Sequence, residues 1–425
     1  MEELEGHLRD QIDTLSNTGL SRDEAFLIAM KRIGDLDDLS RRFMQEHSDL
    51  LWRQVILPAD TENPPRSADR AEMLVVFGLA IASALAIKVP ELVGLQLDAE
   101  SGFYERNFSI FVLPFLAYYL AWKRRWGANA LRWLAPMFIV AGAFANLYVF
   151  APGGSTEVLT ALHLPIVVWM LVGVAYVGGQ VRSAVRRMDF VRFSGELFIY
   201  YVLIALGGGV LTAITVGMFG IIGLDLEWMA GSWMLPCGAM GAVIVGAWLV
   251  ESKQGVIQNM APVLARVFTP LFAIVLLAFL ATIVWIGNGI EVEREVLISL
   301  DLLLVLVLGL LLYNVSARDH KAQPNAFDVL QLVLVVSALV IDVLALMAIM
   351  GRTFESGFSA NRVAALGENL ILLVNLTWSA WLYFRFLSRR GAFAVLERWQ
   401  ATYLPIYPVW AVVVVVGFPP AFGYT

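Results

Sequence analysis

Residues 327–387 read FDVLQLVLVVSALVIDVLALMAIMGRTFESGFSANRVAALGENLILLVNLTWSAWLYFRFL, and this stretch decides the fold. Two apolar runs flank a short polar turn, Gly351 to Arg362. At about 1.5 Å per residue, each run is long enough to cross the ~30 Å hydrocarbon core of a bilayer. The first run holds Asp342 between Ile341 and Val343. The second carries Glu368 and Asn369 just inside its start and Asn375 deeper. A charge facing lipid costs about 2.5–3.5 kcal/mol on insertion scales, so these groups are expected to face protein or water. The rest of the chain then reads as the scaffold that lets them do so.

Composition agrees. The chain has 425 residues, 59% hydrophobic and only 16% charged, far too apolar for an ordinary soluble domain. Its charge is unevenly placed. Residues 1–70 hold nine Lys/Arg against fifteen Asp/Glu, whereas residues 71–425 hold 21 of each. An acidic head on a neutral membrane body follows, and neither part has the basic balance that nucleic-acid binding requires. Cys237 is the single cysteine and has no partner for an intramolecular disulfide. The N-terminus is a charged amphipathic segment, which does not read as a signal peptide.

Within the head, Leu4, Leu8, Ile12 and Leu15 recur at helical spacing, and Asn17-Thr18-Gly19 ends that helix. Ser21 and Glu24 have the spacing of a capping box and open a second helix, which Gly34-Asp35 breaks before a third. Residues 1–56 thus read as a small cytoplasmic three-helix domain, and residues 57–70, with Pro58, Pro64 and Pro65, as a linker. The runs Glu3 to Asp10, Gly19 to Phe26 and Arg32 to Asp35 resemble the permease prefix domain, also called the HAAS signalling domain. That resemblance implies a regulatory role in bacterial membrane proteins and contact with a cytoplasmic protein partner, often beside transcriptional regulators of the PadR type.

Residues 71–425 contain apolar segments near 72–90, 108–122, 131–150, 158–180, 197–222, 230–250, 263–287, 296–315, 327–350, 363–387 and 404–421. The reading is an all-α polytopic transmembrane helix bundle of about eleven spans, with the second span short and the last interrupted by prolines. Alternate loops carry sixteen Lys/Arg and the opposite set only five. This bias predicts a multi-pass protein of a bacterial inner membrane with its N-terminus cytoplasmic and, for an odd count, its C-terminus outside. Glycines in the fifth and sixth spans, Gly207-Gly208-Gly209, Gly217, Gly220, Gly223, Gly238, Gly241 and Gly246, predict close helix approach. Lys88 is expected to snorkel to the interface.

For chemistry the chain offers little outside its buried polar groups. The four histidines, His7, His47, His163 and His320, are scattered without metal-ligand spacing, and no phosphate-binding or nucleophile motif is present. No enzyme, cofactor or metal is expected. Asp301 and Glu368 are placed roughly 9 Å, and Asp342 roughly 13 Å, inward from the outer end of their spans. Their convergence would form a proton or cation site, with Asn369 and Asn375 as neutral ligands. The alternative is that these groups only hydrogen-bond helices together, with Arg352 and Arg362 bending inward to pair with them. Phe358 to Gly367, and Ala265 to Leu271, are also similar to segments of the bacterial membrane family called domain of unknown function 4153. The resemblance implies no settled activity but singles out Arg266, Asn361 and Arg362, with Arg266 near the opposite side from the other two. Two functions are therefore carried forward. The first is a regulatory or sensory membrane protein docking a partner through residues 1–56. The second is a secondary transporter or ion- or proton-conducting protein that uses the buried carboxylates.

Overall fold

The computed structural model describes residues 67–97, 102–221, 224–252, 260–286, 294–318 and 322–425. The expected head, residues 1–56, lies outside the described residues. The last residues of the expected linker are helical, because the first helix opens at Ser67. Residues from Ala71 to Thr425 form one compact unit.

Among the described residues there is no strand, and eleven helical segments follow one another: α1 (Ser67–Ala86), α2 (Phe103–Lys123), α3 (Ala128–Leu147), α4 (Ser155–Tyr176), α5 (Ala184–Ile221), α6 (Glu227–Glu251), α7 (Met260–Ile286), α8 (Arg294–Ala317), α9 (Ala326–Ser356), α10 (Ala360–Leu387) and α11 (Phe393–Ala421). Helices are what a lipid environment demands, since each satisfies its backbone polar groups internally. Nine of the eleven are long and apolar enough to cross a membrane. The exceptions are α2, with Glu105, Arg106 and Asn107 in its first turns, and α3, whose apolar part is only Arg132–Leu147.

Several boundaries differ from those read in the sequence. Helix α5 starts at Ala184, well before residue 197, and α9 continues past residue 350 to Ser356. Polar and charged residues extend a helix readily once it leaves the lipid, and hydropathy alone is blind to that extension. The extra turns put Asp342 fourteen residues, roughly 21 Å, from the end of α9, deeper than expected. Helix α11 begins at Phe393 and steps at Leu404-Pro405. It then passes through a π-helical turn, Val413–Gly417, before its last turn, Phe418–Ala421. Proline lacks the amide that an unbroken helix needs at that step.

Helix ends are fixed by specific chemistry. Asn325 caps α9 by accepting from the Phe327 and Asp328 amides at 2.9 and 3.2 Å, while Asp328 accepts from the Asn325 amide at 2.9 Å. Arg318, just past α8, grips both Asp328 oxygens at 2.7 and 2.8 Å and stacks over the Phe386 and Phe393 rings. Gly357 ends α9 at φ +79°, a left-handed conformation that glycine adopts without penalty.

Contacts at the helix ends sort the molecule into two faces. On the arginine-rich face Lys123 pairs with Glu72 at 2.5 Å and Arg124 with Glu251 at 2.8 Å. On the far face Arg106 pairs with Glu157 and donates to the Ala145 carbonyl, the Ala151 amide donates to Tyr424 O, and Asn361 Nδ2 donates to Ser155 Oγ at 3.1 Å. Lys88 does not snorkel. It is 6% exposed, pairs with Glu91 at 2.6 Å and lies over the Trp233 ring, because a neighbouring acid and an aromatic face offer the ammonium group local partners.

Two hydrophobic cores fill the bundle. One joins α1, α2, α3, α4, the first half of α5 and α6, with Val415 of α11, and the other joins α7, α8, α9, α10 and the first half of α11, with Met188 and Val191 of α5. A small cluster of Leu159, Ala360, Ala364, Val414 and Phe418 knits them where α4, α10 and α11 meet. The glycines of α5 and α6 contribute little to this packing. A Cβ added at Gly207, Gly208, Gly209, Gly217, Gly220 or Gly238 would meet nothing within 4 Å, and Gly223 lies outside the described residues; Gly241, against Ala80, Gly246, against Leu197, and Gly195, against the Tyr313 ring, sit at close approaches. Small residues permit contact without compelling it, and half of α5 stands proud of the core.

Candidate functional site

The site lies at the seam between the two cores, toward the far face. Helices α4 and α10 run parallel there, and the Asn361–Ser155 bond sets their register. Two turns further in, His163 Nε2 meets Glu368 Oε1 at 2.6 Å. His163 Nδ1 is 2.8 Å from the Leu159 carbonyl. A carbonyl only accepts, so Nδ1 must carry a hydrogen, and the other ring nitrogen then faces the carboxylate. One further proton has to lie between Nε2 and Oε1, since a neutral imidazole lone pair would otherwise oppose a carboxylate lone pair. The pair is thus built around one shared proton.

Beside it on α10, Asn369 is fully buried and donates to Asp301 Oδ1 of α8 at 3.0 Å and to the Ala365 carbonyl at 2.9 Å. Asp301 is close enough to Glu368 and to Asp342 of α9 for its charge to act on both. Asp301 thus lies within electrostatic reach of each of the other two carboxylates expected from consecutive spans. Asp342 is 0% exposed, and neither of its oxygens has a hydrogen-bond partner; the Asn369 Oδ1 atom likewise has none. A buried charge is tolerated only when it is paired, so a proton or a small cation is what those oxygens call for. Among the described residues no three His, Cys, Asp or Glu side chains gather tightly enough to enclose a metal ion. The arrangement suits a proton better than a divalent cation.

Asn375 belongs elsewhere. Its amide donates to Gln400 Oε1 at 3.1 Å and Tyr407 Oη at 2.7 Å, and its oxygen accepts from Trp399 Nε1 at 2.8 Å and from Ser379 at 3.2 Å. Those bonds tie α10 to α11 and leave Asn375 no ligand capacity. Arg362 turns to the Gly357 carbonyl at 2.6 Å rather than to an acid. Arg266 is exposed on α7, on the arginine-rich side of its helix, and forms no site with Asn361 and Arg362. An apolar cleft of about 320 Å³ among α3, α4 and α11, lined by residues such as Met137, Phe144, Leu171 and Val412, includes none of the site residues.

His163 is the member that sequence reasoning missed. It was one of four scattered histidines, and it meets Glu368 only because α4 packs on α10 across 205 residues of chain. The usable signal was depth: His163 and Glu368 each lie eight residues past the first residue of their helix. Gly367 also had a reason that was not legible. A Cβ there would run into the ring of Trp410, so glycine lets α11 close over α10 beside Glu368. Comparison with known proteins adds nothing to this geometry: no family model, no curated protein and no solved structure matches the chain.

Proposed function

We propose that this multispan membrane protein is a proton-translocating protein, of the conducting or secondary-transport kind, whose proton site is His163, Asp301, Asp342 and Glu368. The observation that carries the reading is the unpartnered, fully buried Asp342 carboxyl group, linked through Asp301 to a His163–Glu368 contact that requires a shared proton. Four helices supply its titratable groups: His163 from α4, Asp301 from α8, Asp342 from α9 and Glu368 from α10. Asn369 positions Asp301 and does not titrate.

The test is the full chain in liposomes containing a pH-sensitive dye, with a potassium diffusion potential to drive protons inward. Proton flux is expected, and Asp342→Asn and Glu368→Gln should each cut it at least about tenfold, the factor that corresponds to 1.4 kcal/mol. The same samples, stepped in pH, should show a protonated-carboxyl infrared band that weakens in each variant. Variants as active as the parent chain, with an unchanged band, sink the proposal. Flux that requires sodium would reassign the ligand to a metal cation.

The regulatory role expected for residues 1–56 rests on residues outside the described ones. Removing them discriminates the two readings: proton flux that survives the truncation makes the head modulatory at most.

A further inference from the structure

A second polar cluster lies in the other half of the membrane, and it deepens the reading just given. Thr269 of α7 is fully buried, and its hydroxyl donates to the Ala265 carbonyl at 2.7 Å. That bond uses its only hydrogen. Thr269 Oγ1 can then only accept, and it does so from Asn314 Nδ2 of α8 at 3.0 Å and Gln331 Nε2 of α9 at 3.2 Å. The single hydroxyl therefore fixes which way both amides point, and flipping either would set oxygen against oxygen. Gln331 is 1% exposed, and its Oε1 has no hydrogen-bond partner. What the cluster offers is a buried acceptor aimed at a donor, which is the chemistry of a water molecule or a hydronium ion.

Gln331 and Asp342 share one face of α9, eleven residues or about 16 Å apart. The space between them is apolar. Val335 and Ala338 of α9 and Leu304, Val307 and Leu311 of α8 are at most 1% exposed and pack in one apolar core. Toward the arginine-rich face, one turn beyond Gln331, Asp328 is held by Arg318 and faces the loop after α8. Polar stations on either side of an apolar constriction are the anatomy of a gate that opens by wetting.

We propose that Gln331, oriented by Thr269 and assisted by Asn314, is the second station of the proton pathway that begins at Asp342, holding the water or hydronium that carries the proton to the arginine-rich face, and that the apolar plug between them is its closed gate. Asp342 and Gln331 thus serve one route along the seam between α8 and α9. The nearest charged or titratable groups along α9 from Gln331 are Asp328 and its partner Arg318, both within electrostatic reach of the buried phenol of Tyr383.

The proposal rests on the proton reading, and one experiment separates the two. Gln331→Leu removes the open acceptor at similar length, and Gln331→Glu keeps an acceptor there. Each variant and the parent chain are checked for equal thermal stability in detergent, then assayed for potential-driven proton flux and for the pH-step infrared band of the Asp342 and Glu368 carboxyl groups. Expected are loss of flux by at least about tenfold in Gln331→Leu with the band intact, and retained flux with a shifted pH profile in Gln331→Glu. Parent-level flux in Gln331→Leu overturns the second station and leaves the proton site standing. A parent chain that shows the band but no flux also overturns it, since a site without a through route has no second station. Flux that survives in both Gln331→Leu and Asp342→Asn removes the underlying reading as well. If Gln331→Leu fails to fold, the decision falls to Gln331→Glu, where flux lost despite parent-level stability and an intact band overturns the proposal.

Discussion

Asp342 is a fully buried carboxyl group without a hydrogen-bond partner, and that is the argument for its role. A carboxyl group that only glued helices together would have partners, and Asp342 has none. Replacing it with an apolar residue of similar size removes a desolvation cost and opens no hydrogen bond elsewhere. Asp342→Leu should therefore leave thermal stability unchanged or raise it by about 1–2 kcal/mol while abolishing proton flux. A clear loss of stability in calorimetry of the lipid-reconstituted protein would return Asp342 to the structural role. His163→Gln, in contrast, removes the ring that shares a proton with Glu368 while keeping a polar side chain. Its flux should fall by at least about tenfold, as read in the liposome assay. At this scale the sequence singled out the acids, because a charge in an apolar run is costly wherever it lands. It was silent about their partners, since the histidine that completes the pair lies on a helix two hundred residues away.

The helices themselves were legible because membrane insertion is decided segment by segment, by length and hydropathy, before tertiary contacts form. Eleven apolar segments became eleven helices, while some starts moved by more than ten residues, as those of α5 and α11 did, where polar turns continue a helix beyond the lipid. The turn between α8 and α9 shows that chemistry at its strongest. Asp328 is 2% exposed, and Arg318 neutralises it. Arg318→Ala would leave a buried carboxylate unpaired and should cost roughly 3–5 kcal/mol in reversible unfolding. A cost within experimental error would show that water reaches Asp328 from the loop. Helix α11 offers a second test. Gly367→Ala drives a methyl group into the Trp410 ring and should destabilise by about 1–3 kcal/mol, with much of that recovered in the double variant carrying Trp410→Ala. No recovery in the double variant would place the strain elsewhere.

The division into two cores was not legible at all, because both are built from the same Leu, Val, Ala and Phe side chains and differ only in which helices they join. Yet that division places the site, which lies where α4 of one core meets α8, α9 and α10 of the other. If translocation requires the cores to part, fastening them should stop it. Ser155 Oγ and Asn361 Nδ2 are 3.1 Å apart, so Ser155→Cys with Asn361→Cys, in a chain whose Cys237 is changed to Ser, provides a closable bridge across the seam. Oxidation should arrest flux and reduction restore it; flux that persists in the oxidised protein, with the bridge verified by mass, would mean the cores need not separate. A last consequence comes from Pro165, inside α4 and two residues beyond His163. With no amide to offer the carbonyl four residues earlier, α4 is mechanically compliant at the level of the proton pair. The imidazole can swing with half a helix instead of a whole one. Stiffening α4 by Pro165→Ala should yield a sturdier protein with a slower turnover.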